Sequence, residues 1–170
     1  MANEPALGTN DAVFGQAATF NTDVGFSLDV SPDKKAFTAA FSGLAISHDV
    51  RSTPIVTRMF SFTLPLSGVD YGVEIPFFVQ GFVFSEKGAN AHLVFSINDQ
   101  TTVVDFPENS DTSFLQQLNY SVGSASEIRL TLILFADRDS KSQAQANLTV
   151  DTIDTDAAKV RPESKAATMS

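Results

Sequence analysis

The chain has 170 residues and a formal charge of −9, with 20 Asp and Glu against 11 Lys and Arg. That length suits one domain able to withdraw roughly 70% of its unfolded surface from water. The negative charge opposes phosphate backbones, so nucleic acid is excluded as a partner, and the lack of cysteine excludes disulfides and thiolate metal sites.

Residues 1–12 are polar, rich in Asn, Gly and Asp, and without period; they are expected to form a flexible arm ahead of a first strand over residues 12–20. Val24, Phe26, Leu28 and Val30 then alternate with small or polar residues. Pro32-Asp33-Lys34-Lys35 interrupts the run, and Phe37, Ala39 and Phe41 resume it. This is a hairpin with one buried face. A polar connection containing His48 leads to a third strand, marked by Val56, Phe60, Phe62 and Leu64.

Tyr71, Val73, Ile75, Phe77 and Val79 hold the odd positions, while Phe82 and Phe84 hold the even ones. The expectation is a bulge or glycine kink near residues 76–81 that swaps the faces of this strand. Residues 91–97 and 101–106 read as a hairpin joined at Asn98-Asp99-Gln100. Residues 113–120 fit either a helical turn or a strand, and Phe114, Leu115 and Leu118 match the helical spacing slightly better.

Ile128, Leu130, Leu132 and Leu134 alternate, with Ile133 and Phe135 on the other face, which predicts a central strand buried on both sides. Residues 144–153 close the fold, and residues 156–170 read as a disordered tail. The prediction is a single all-β domain over residues 13–155, an antiparallel β-sandwich or jelly roll of about eight or nine strands.

The phrase Ser31-Pro32-Asp33-Lys34, continuing to Phe37-Thr38 and Phe41, together with Gly81-Phe82, resembles an uncharacterised secreted β-protein family of fungi and bacteria. That family carries S-P-D-K/R-x-x-F-T-x-x-F before an alternating strand; its paired cysteines are absent here. The resemblance implies a compact β-fold and export, and contributes no catalytic residue. Met1 to Pro5 has neither a basic nor an apolar leader region. A secreted or cell-surface home is therefore the expectation, with a cytoplasmic one left open.

No Gly-x-Ser-x-Gly, phosphate loop or zinc signature occurs, and no catalytic residue is assigned. His48 and His92 have no histidine at a ligand spacing and are expected to play surface roles. The fifteen phenylalanines, in a chain without tryptophan, are expected to fill the core. Candidate calcium ligands come from two acidic clusters, Asp137 with Asp139, and Asp151 with Asp154 and Asp156; charged turns offer the plainer account. Otherwise no cofactor is expected. Asn119-Tyr120-Ser121 and Asn147-Leu148-Thr149 are formal glycosylation sequons.

Three functions remain. The first is a non-enzymatic domain that binds a cell-surface glycan or protein through its loops. The second is a structural protein that forms homo-oligomers through the N-terminal arm or sheet edges. The third is a membrane-active toxin. No apolar run reaches the roughly 20 residues of a spanning helix.

Overall fold

The computed structural model describes residues 13–19, 23–48, 53–67, 73–122, 126–156 and 161–162. The arm at residues 1–12 and most of the tail expected over residues 156–170 lie outside them. The described strands are β1 (Val13–Phe14), β2 (Ala18–Thr19), β3 (Gly25–Val30), β4 (Ala36–Ser42), β5 (Ala45–His48), β6 (Ile55–Ser67) and β7 (Val73–Ser85). They continue with β8 (Ala89–Ile97), β9 (Gln100–Phe106), β10 (Asp111–Ser121), β11 (Glu127–Arg138), β12 (Ala146–Asp156) and β13 (Arg161–Pro162). The expected eight or nine strands are thus too few. Two-residue edge pieces and the split of β4 from β5 at Gly43, whose φ is 87°, account for the excess.

All pairings are antiparallel and build two sheets. One has six strands in the order β1-β6-β11-β8-β9, with β2 also on β6. The other has seven, in the order β10-β7-β12-β4-β3, with β5 on β12 and β13 on β7. Strand β11 lies between β6 and β8, so its central place follows the expectation. Its burial is one-sided, however: Ile128, Leu130, Leu132 and Leu134 are fully buried, while Ile133 and Phe135 are only half-buried on the outer face.

The inward rows of the two sheets meet in an aromatic core. Phe26 packs tilted against Phe41, Phe60 and Phe62 with centroids 5.0–5.6 Å apart, and Phe14 meets Phe37 edge-on at 5.0 Å. A second group joins Phe77, Phe95 and Tyr120, with centroids 5.6–6.0 Å apart. Burying such a ring contributes on the order of 2–3 kcal/mol, so these groups hold the sheets together. Tyr120 also donates its hydroxyl to the Phe95 carbonyl at 3.0 Å, tying β10 to β8 across the sandwich. Burial pushes the pKa of this phenol upward.

The two predicted hairpins form through their turn residues. Between β3 and β4, the Ser31 hydroxyl donates to Asp33 at 2.6 Å and accepts from the Ala36 amide at 3.0 Å. Asp33 in turn accepts from the Lys35 amide at 3.1 Å. The Ser31 hydroxyl, then the Lys35 amide, hold the Asp33 carboxyl below its usual range. Between β8 and β9 the loop is two residues long and Asn98 takes φ 54°, as a tight primed turn requires.

One open local reading is decided and one expectation is overturned. Residues 113–120 are strand, because Phe114, Leu118 and Tyr120 turn toward the core, while Leu115 is 62% exposed on the opposite face. The helical spacing had mixed residues from two faces. Strand β7 keeps its phase as well: Ile75, Phe77, Val79, Gly81 and Val83 stay buried in an unbroken odd series. The bulge lies instead on the neighbouring β12, where Asp151 is the extra residue between Val150, opposite Gly81, and Thr152, opposite Gln80. Gly81 is needed there, since an added Cβ would lie 1.9 Å from the Thr149 carbonyl oxygen. Phe78, Phe82 and Phe84 consequently face outward.

Candidate binding face

The candidate calcium ligands are dispersed over two sheets and a turn. Asp137 is in strand β11 rather than a loop, where it accepts from the Asn90 amide at 3.1 Å and lies 3.3 Å from His92 Nε2. Asp139 caps its own turn by accepting from the Lys141 amide at 2.9 Å. Asp151 is the exposed bulge residue, and Asp154 lies on the outer face of β12, in the other sheet. Asp156 ends β12. No group of three or more His, Asp or Glu side chains able to hold a metal occurs among the described residues.

The histidines depart from the expected surface roles in one case. His48 ends β5 and is buried, with its Nε2 against the Thr53 carbonyl. His92 sits on the outer face of β8 between two carboxylates, with Nδ1 2.6 Å from Asp105. These carboxylates approach opposite ring nitrogens, so the three groups do not converge on a common point.

The register of the seven-stranded sheet assembles a different constellation. Even-numbered residues of β7 face outward, which places Phe78, Gln80, Phe82 and Phe84 in one row along the strand. Phe82 is 39% exposed. From Phe78 to Phe84 the row spans about 20 Å at the usual rise per residue. On one side, β10 puts Gln117 opposite Phe78, Leu115 opposite Gln80 and Ser113 opposite Phe82. On the other, β12 puts Asp154 opposite Phe78, Thr152 opposite Gln80 and Thr149 opposite Phe82.

Hydrogen bonds hold the polar members in place. Asp154 accepts from the Thr38 hydroxyl at 2.5 Å and from the Gln80 amide at 3.3 Å. Gln117 donates to Asn119 at 3.4 Å, and Ser47 donates to Asn147 at 2.8 Å. Each carboxamide has two N–H donors and an acceptor oxygen, so one such bond leaves Gln80 able to donate again and to accept. Asp29, Asp111 and Asp154 share this face by alternation and register, while Glu74, near the start of β7, has Arg161 of β13 as its register partner. The face therefore presents ring surfaces, oriented amides and the carboxylates of Asp29, Asp111 and Asp154.

A cleft of about 670 Å³ opens at the opposite flank, between β3 and the residues linking β1 to β2, and includes Phe14, Gln16, Phe26, Leu28, Val30 and Lys34 in its lining. Phe26, Leu28 and Val30 also pack against the hydrophobic core, so this opening is a seam between the sheets.

Sequence reasoning missed the ridge because it assigned Phe82 and Phe84 to the core. The available signal was the pair of phenylalanines at i and i+2, Phe82 and Phe84, alternating with Gly81 and Val83. That pattern names a face without saying which way it points.

No family model matches the chain, and no curated protein matches it. Among solved structures it is similar to the carbohydrate-binding module TmCBM61 in complex with β-1,4-galactotriose, at 13% identity and a TM-score of 0.34, covering 81% of this chain and 88% of that one. It is similar to the enzymatically active domain of bacteriophage CBA120 tailspike protein 4, at 13% identity and a TM-score of 0.29, covering 85% of this chain and 19% of that one. A third is a family 16 carbohydrate-binding module, at 11% identity and a TM-score of 0.27, covering 76% and 86% of the two chains.

Proposed function

We propose that this protein is a non-catalytic carbohydrate-binding domain, and that the outer face of its seven-stranded sheet takes a neutral, extended glycan lying along β7. The observation that carries this reading is the row Phe78, Gln80, Phe82 and Phe84, flanked by Gln117 and Asn119 on β10 and Asp154 on β12. A sugar ring offers an apolar face of C–H groups edged by hydroxyls. Phenyl faces suit the first, and amides and carboxylates suit the second, since both accept or donate in directed geometry.

An open strand row admits a polymer at any point along its length, which favours an internal stretch of chain over a free end. The carboxylates of Asp29, Asp111 and Asp154 on this face disfavour uronate and sulfate groups by like-charge repulsion. The ligand site thus moves from the loops, where sequence reasoning looked, to a strand face. A glycan ligand also suits the extracellular home implied by the Ser31 to Phe41 phrase. No described helix is long and apolar enough to cross a membrane.

Affinity electrophoresis against neutral glucans, galactans, mannans and xylans, with a polyuronate and a sulfated galactan as counterparts, tests the reading. At least one neutral polymer should retard the protein. The double substitution of Phe78→Ala with Phe82→Ala should weaken that binding about tenfold or more. Retardation by acidic polymers alone, or by none of the set, would overturn the proposal.

A further inference from the structure

We infer that β10 is an interface whose partner is β10 of a second copy of this chain, the two strands pairing antiparallel so that two seven-stranded sheets become one. An edge strand presents a row of unpaired N–H and C=O groups that another strand can complete. Among the described residues, β10 pairs only with β7 and forms the end of its sheet. It runs for 11 residues with no register shift against β7.

The other edges differ. β3 has six residues, carries Asp29 and leads into Lys34 and Lys35, whereas β9 has seven and carries Asp105. β1 and β2 have two each. In β10 the charge is confined to Asp111 at its first position, and from Thr112 to Ser121 there is no charge, no proline and no bulge. These are the usual devices that keep an edge from pairing, and beyond Asp111 this long edge lacks them.

The sequence of β10 also names its occupant. With Gln116 on a twofold axis normal to the sheet, Phe114 falls opposite the partner's Leu118, and Leu118 opposite the partner's Phe114. Both residues pack against the core and are only half-buried in one copy. Thr112 falls opposite the partner's Tyr120, and Leu115 opposite the partner's Gln117. On the inner face Phe114 and Leu118 make the apolar contacts, Gln116 meets the partner's Gln116 at the axis, and no like charges are opposed, although each chain carries −9. An isologous contact of this kind closes on itself as a dimer.

Such a dimer sets both Phe ridges on one side, antiparallel and about 14 Å apart, three interstrand spacings. A polymer crossing both would be held twice. The pairing itself depends only on β10, and is read by mass rather than by ligand.

Sedimentation equilibrium of the wild-type chain and two variants decides the matter. Leu115→Lys with Gln117→Lys places like charges opposite each other twice in this register. Leu115→Lys with Gln117→Glu places opposite charges there. Leu115 is 62% exposed and Gln117 is exposed, so both variants keep the core, which circular dichroism checks. The wild type should sediment as a dimer. The Lys/Lys variant should raise the dissociation constant about tenfold, and the Lys/Glu variant should leave it within about threefold. A wild-type monomer at millimolar concentration, or equal dissociation of the two variants, overturns the inference.

Discussion

The two outer faces of the sandwich both expose apolar side chains, yet only one sets them in a row of phenylalanines along a single strand. On the six-stranded sheet, Met59, Ile133, Val94 and Val103 line up across four strands. This aliphatic row is bordered by hydroxyls that bond one another, Ser61 with Thr131 and Ser96 with Thr101, each at 3.1 Å. Its other border holds His92 between Asp105 and Asp137. Among the described residues, the rings of that face are the single pair Phe135 and His92, 5.2 Å apart, whereas the seven-stranded face lines up three phenylalanines along one strand with the carboxamides of Gln80 and Gln117 beside them. Exposure is comparable, with Val103 at 55% and Phe82 at 39%, so area alone does not make the difference. What does is flat ring surface beside polar groups with bonding capacity left over.

The largest expected effect breaks the scaffold beneath the ridge. Gly81→Ala forces a methyl into the Thr149 carbonyl, so β7 and β12 must separate. Urea unfolding should show a loss of about 3 kcal/mol. A variant as stable as the wild type would show that the bulge at Asp151 does not demand the glycine.

A smaller effect sharpens the contrast between the faces. Phe82→Ser and Val103→Ser each remove an exposed apolar side chain, one from each face. Titration calorimetry with a neutral polymer that binds the wild type should show about a tenfold loss for the first and no change for the second. Equal losses would erase the distinction.

The smallest effect lies at the far edge of the seven-stranded sheet. Hydrogen bonds lower the Asp33 pKa from 3.8, so its contribution is complete above that value and is lost as pH falls through the lower folded value. Asp33→Ala should flatten this limb of the melting temperature between about pH 5 and pH 2 without altering ligand binding. Thermal scans across that range check it; an unchanged acid limb would remove Asp33 from the account.

Much of the architecture was legible from neighbouring residues. Val24 to Phe41 alternates around a Ser-Pro-Asp turn, and the turn closes through Ser31 and Asp33 as its residue types require. Asn98 likewise marks the β8–β9 turn. The candidate site was not legible. Asp151 adds one residue to β12 inside Val150-Asp151-Thr152-Ile153, a stretch whose pattern suits either face. The irregularity was therefore assigned to β7, and the ridge vanished into the expected core. Asp154 drew attention as a cation ligand, but its hydrogen bonds go to Thr38, 116 positions away, and Gln80, 74 away.

By itself, the sequence determined an all-β chain, its main hairpins and its acidic character, because alternation, turn chemistry and charge act over a few residues or over the whole composition. Only the tertiary structure decided that Phe78, Phe82 and Phe84 look outward, that β10 ends a sheet and that Gln80 meets Asp154. Those outcomes rest on register between strands distant in sequence. A one-residue bulge reverses a face there without leaving a mark in the local pattern.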